Sequence, residues 1–143
     1  MRSITLILSC VCSVVWFGCG EDSTQPAHVA TFTEIYDAFF PIETKGQCNF
    51  CHGLPPNDKS NGLLSFGADK STAYEALVGK TSASSVCNGK PLVVAGDPEQ
   101  SLLLQKLSSA PPCGGQMPLG GSPLTDDQQA MVRSWIAAGA KND

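Results

Sequence analysis

Residues 48–52 read CNFCH, two thiols three positions apart with an imidazole directly after the second. Three chemistries use such a triplet: a structural zinc site, a redox dithiol, and covalent attachment of haem with the histidine on the iron. Each asks something different of the rest of the chain. Zinc needs four ligands, normally as two close pairs, but Cys87 and Cys113 are single residues 26 apart. A thioredoxin-like dithiol follows a strand in a βαβ pattern, and no alternating segment precedes Cys48. Haem attachment asks only that one helical turn carry both thiols and the imidazole to one side of a macrocycle. With seven Cys and two His in 143 residues, the triplet arises by chance in roughly one such chain in two hundred. The motif therefore reads as haem attachment, with Cys48 and Cys51 as thioether anchors and His52 as proximal axial ligand.

The iron then needs a sixth ligand or an open position. Met117 stands 65 residues after His52, in a stretch (APPCGGQMPLGGSP, 110–123) whose four prolines and four glycines exclude regular structure. Pro118 biases it towards extended backbone, so its thioether projects from a loop. Met117 is the expected distal ligand. Three alternatives stay open: an open site; Met131, which has the spacing of a gap-filling core methionine; and His28, which would have to fold back. The His52 ring N–H is expected to donate to a carbonyl of Leu54, Pro55 or Pro56, as ligand histidines usually do.

The other cysteines are read through the N-terminus. Residues 1–18 carry Arg2 and then an apolar run to Phe17, the layout of a secretory signal peptide. Cys19 closes that run after a small residue, as in a lipobox, and is the expected lipidation site, although Trp16 stands where leucine is preferred. Cys10 and Cys12 leave with the signal. Cys87 and Cys113 remain, and in an oxidising compartment two leftover thiols imply a disulfide. Export to the periplasmic side of a cell envelope, with a lipid holding the chain to a membrane, is the expected localisation.

Without residues 1–18 the chain keeps eight basic and thirteen acidic residues, a formal charge of −5. Nucleic acid is not an expected partner, because no basic patch is available for phosphates. The remaining 125 residues make one domain. Residues 19–30 read as a flexible tether and 31–143 as the folded domain.

The elements that must position the site read as all-α. Thr31 and Glu34 form a capping box for a helix with Phe32, Ile35, Tyr36 and Phe39 at helical spacing, ended by Pro41. A second helix is predicted from Asp69 to Val78, and a third opening on Asp97, Pro98 and Gln100 with Leu103, Leu104 and Leu107 as its apolar stripe. Residues 79–92 are an irregular excursion carrying Cys87. A last helix runs from Thr125 to Ala138, its apolar face Met131, Val132, Trp135 and Ile136. Phe50, Leu103 and Trp135 are expected around the haem.

CNFCHG, AYEALVG, VVAGDPEQSLLLQKL, CGGQMPLGG and WIAAGAK together resemble, in order and spacing, the planctomycete-type cytochrome c family, also common among myxobacterial lipoproteins. The resemblance spans Thr31 to Lys141. It departs at Ala95, where the family often has proline, and at Gln116, where it often has a basic residue. It implies a small cytochrome c-like fold of four to five helices around one covalent haem, with Cys48 and Cys51 as anchors and His52 and Met117 as axial ligands.

The expected function is one-electron transfer between redox partner proteins of the cell envelope. A saturated His/Met iron takes no small-molecule substrate, so the chain is not expected to be an enzyme. The alternative is a haem-based gas sensor or small peroxidase-like protein with a displaceable sixth ligand. No His, Arg or acid beside Met117 is placed to activate peroxide.

Overall fold

The computed structural model describes residues 28–55 and 59–143, so the signal peptide, Cys19 and most of the tether lie outside the described residues. The described chain forms five helices and no sheet, joined by long loops. The capping box expected at Thr31 starts α1 (Phe32–Phe39): Thr31 Oγ1 accepts from Glu34 N–H, and the Glu34 carboxylate accepts from Thr31 N–H. Helix α2 (Cys48–His52) is the motif itself. Asp69 caps α3 (Lys70–Leu77), and Thr72 returns the bond. α4 is Leu102–Leu107, and α5 (Asp126–Ala137) opens on a Thr125–Gln128 box. No helix among the described residues is long and apolar enough to cross a membrane.

α4 begins four residues later than Pro98, where its start is predicted. Asp97 does cap, accepting from Gln100 N–H at 3.2 Å, but only one turn forms. The amides of Leu102 and Leu103 instead donate to the carbonyls of Pro91 and Leu92 at 3.0 and 2.9 Å. Ser101 turns its hydroxyl inward, donating to the Asp97 carbonyl at 2.8 Å and accepting from Val94 N–H at 2.9 Å. A tertiary partner has outcompeted the local signal. The 79–92 excursion is held by isolated bridges, Val78 to Val93 and Thr81 to Pro91.

The core is built by α1, α3, α4 and α5. Phe32, with no exposed surface, lies at the centre of an aromatic cluster, its ring 5.0 Å from Trp135, 5.3 Å from Tyr74 and 6.0 Å from Phe40. The cluster continues through Phe40 to Phe66, 4.8 Å away, and from Phe66 to the His52 ring at 5.2 Å. Such edge and tilted pairs add about 0.5–1.5 kcal/mol each to simple burial.

α1 is fastened at its start by residues distant in sequence. The backbone oxygen of Asp143 accepts from Thr33 N–H at 3.1 Å and from Lys70 Nζ at 3.1 Å, and Asp143 Oδ1 accepts from Phe32 N–H at 2.8 Å. Ala30 is buried and its N–H donates to Ser134 Oγ at 3.2 Å, so the folded unit includes this last tether residue.

Candidate functional site

α2 is a five-residue helix with no buried residue. Its geometry is imposed from outside. Gln47, at its N-cap, is left-handed (φ 47) and makes no side-chain cap; the amide of Asn49 instead donates to the Phe40 carbonyl at 2.9 Å, tying the motif to the end of α1. At the other end, Phe66 N–H donates to the His52 carbonyl at 2.7 Å and Ser65 Oγ to the Gly53 carbonyl at 3.2 Å. Residues 59–66 thus return to the motif.

That return fixes the imidazole. His52 Nδ1 lies 3.0 Å from the Leu64 carbonyl, which also accepts from Ser60 Oγ at 2.8 Å. A carbonyl can only accept, so Nδ1 carries a hydrogen, and in the neutral tautomer that this selects, the lone pair is on Nε2. The acceptor differs from the expected Leu54–Pro56 segment. Leu54 is exposed, and the returning residues 59–66 bring the Leu64 carbonyl to Nδ1 at the ring edge.

Cys48 and Cys51 are both free and half-buried. Burial, opposed by its own backbone N–H and helped by the neighbouring Cys51, pushes the Cys48 thiol up to about 12. A redox dithiol needs the opposite, a thiol acidified at a helix N-terminus. Cys87 and Cys113 are bonded to each other with Cα atoms 5.5 Å apart, so they cannot complete a four-cysteine zinc site. No cluster of three His, Cys, Asp or Glu suited to a metal ion occurs among the described residues. The donor set left at α2 is two thiols and one oriented imidazole.

Met117 is held by a different part of the chain. It is half-buried against the core, and its N–H donates to the Lys106 carbonyl at 2.7 Å, fastening the loop to the end of α4. The Met117–Pro118 bond is cis. No hydrogen bond joins α2 to the Met117 loop among the described residues. The Cys87–Cys113 disulfide ties this loop to the 79–92 excursion.

The other expected participants sort differently. Trp135 is 1 % exposed, enclosed by protein alone, with its indole N–H donating to the Lys141 carbonyl at 2.8 Å, so it is core and not cavity wall. Leu103 is half-buried, and Phe50 is exposed under the Lys59 ammonium. His28 is paired with Glu34 at 2.9 Å, and Met131 packs against the core at a shallow depression beside His28 and Ser134.

Several large apolar side chains near these two places are exposed, as are Val29 and Ile42 elsewhere in the chain. Phe50 lies within the motif, with Leu54 and Leu63 in the segment after it; Leu119 (70 % exposed) follows Met117, and Val86 precedes Cys87. A flat apolar macrocycle would give such side chains the cover that the polypeptide does not. The residues present fit a covalently held haem.

Sequence reading did not find the Leu64 carbonyl, the Ser60 hydroxyl or the Phe66 ring, since no local pattern announces a contact closed by a returning loop. No family model matches this chain, and no curated protein and no solved structure matches it either.

Proposed function

We propose that this chain is a monohaem c-type cytochrome carrying single electrons between redox partner proteins of a bacterial cell envelope. The observation that carries the reading is the His52–Leu64 bond, which engages Nδ1 and orients the ring with Nε2 as its other nitrogen, directly after a pair of free thiols. When bound, haem supplies the one-electron Fe(II)/Fe(III) couple. Cys48 and Cys51 would hold it covalently, His52 Nε2 would be the proximal ligand and the Met117 thioether the distal one, favouring the reduced state. Phe50, Leu54, Leu63 and Leu119 would exclude water from it. Lipid on Cys19 would keep the carrier at a membrane, a reading supported by the N-terminal sequence pattern.

The test is to express the full chain with haem-maturation machinery and record its mass and visible spectrum. The expected outcome is covalent haem that is lost when Cys48 and Cys51 are both changed to Ala, with low-spin His/Met bands that vanish in Met117→Ala. A wild-type protein that is high-spin and binds carbon monoxide readily would replace the carrier with a sensor. Absence of covalent haem under these conditions would overturn both.

A further inference from the structure

The loop carrying Met117 has too many prolines and glycines for helix or sheet, so something other than a backbone ladder must hold it. Its bonds to α4 gather on Lys106, through both side chain and backbone, with one more at Leu107. Lys106 Nζ donates to the Cys113 carbonyl at 2.9 Å and to the Gly115 carbonyl through a short contact, while the Lys106 backbone carbonyl accepts from Met117 N–H at 2.7 Å. Gln116 Nε2 adds a bond to the Leu107 carbonyl at 3.2 Å. Even Gly114 curls inward, since a Cβ on it would sit 3.1 Å from the ammonium. No carboxylate pairs with Lys106 among the described residues; its ammonium is met by carbonyl oxygens.

We propose that Lys106 is a positioning residue for Met117: residues 113–115, directly before it, wind around the Lys106 ammonium, and that charge holds the loop in place. An ammonium offers three donors and accepts nothing, so it can gather several carbonyl oxygens that have no other donor nearby. Such charge-assisted bonds are roughly twice as strong as neutral ones. The disulfide cannot substitute, because it ties Cys113 to Cys87 and not to α4. The assignment rests on the reading of Met117 as an iron ligand, but the grip on the loop is a property of the polypeptide.

The experiment compares the full chain with Lys106→Met, which keeps the stem and removes the charge, and Lys106→Arg, which restores a charge. Amide exchange is followed at Met117 and at Val132 in α5, with and without haem, together with the visible band of ferric iron bound to methionine sulfur. Lys106→Met is expected to speed exchange at Met117 by about tenfold or more, leaving Val132 unchanged, and to weaken the band; Lys106→Arg should recover part of both. Exchange at Met117 within about twofold of wild type overturns the proposal. Should Lys106→Met unfold, the wild-type ammonium decides: its protons must exchange about tenfold more slowly than those of the exposed Lys45, and equal rates overturn it. A wild-type protein lacking the methionine band removes Met117 as ligand, while the exchange data still judge Lys106.

Discussion

Gly46 passes so close to α1 that a Cβ placed on it would lie 2.5 Å from the Phe39 carbonyl oxygen and 2.7 Å from Phe39 Cα. Both obstacles are tied to the backbone, and neither can swing aside. The chain can therefore turn from α1 into the motif only through a residue without a side chain. Gly46→Ala is expected to cost about 1–3 kcal/mol, as overpacking does, and, on the proposed reading, to lower haem incorporation by displacing α2. Urea unfolding of the purified variant checks this, and an unchanged midpoint would count against a steric requirement for glycine at position 46.

Phe32 meets four aromatic rings and is wholly enclosed. Phe32→Ala should destabilise the fold by about 3–5 kcal/mol, because the surrounding rings can only partly collapse into the space. The same denaturation experiment reads it, with a loss below about 1 kcal/mol counting against a shared core.

Removing the disulfide with Cys87→Ser and Cys113→Ser should cost about 3.5 kcal/mol from the 26-residue closure. The Met117 amide should also exchange faster. If exchange there is unaltered, the disulfide does not help restrain the loop.

Two capping carboxylates give the fold an acid limit. The Thr31 N–H and hydroxyl hold Glu34 below its ordinary 4.5, and the Thr72 N–H and hydroxyl hold Asp69 below its ordinary 3.8. Both are lowered in the folded state, so their contribution is present above the unfolded values and is lost as pH falls through the folded ones. Stability should decline on acidification below pH 4.5. The double variant Glu34→Gln, Asp69→Asn should flatten that decline; an identical slope in midpoint against pH would place the acid sensitivity elsewhere.

Local signals were legible where the structure uses them locally. The Thr31–Glu34 box, the stop at Pro41 and the face of Val132, Trp135 and Ile136 all depend on residues within a turn or two of each other. The start of α4 was not, because the amides of Leu102 and Leu103 are claimed by Pro91 and Leu92, a contact invisible to helical periodicity. The donor types at the candidate site, two thiols and an imidazole, could be read from CNFCH. Its supports could not: the Leu64 carbonyl reaches His52 through a returning loop, and Lys106 gathers carbonyls that carry no residue-type signature.

The four described cysteines are asked for opposite fates. Cys87 and Cys113 are joined, while Cys48 and Cys51 stay reduced. On the proposed reading both must happen in one oxidising compartment, so maturation is a sorting problem, and an oxidant that did not discriminate would scramble the chain. It is the thiolate that attacks a disulfide, and burial keeps Cys48 in its protonated form. The site that presents the motif thereby shelters one of its two thiols, Cys48, while the other pair closes.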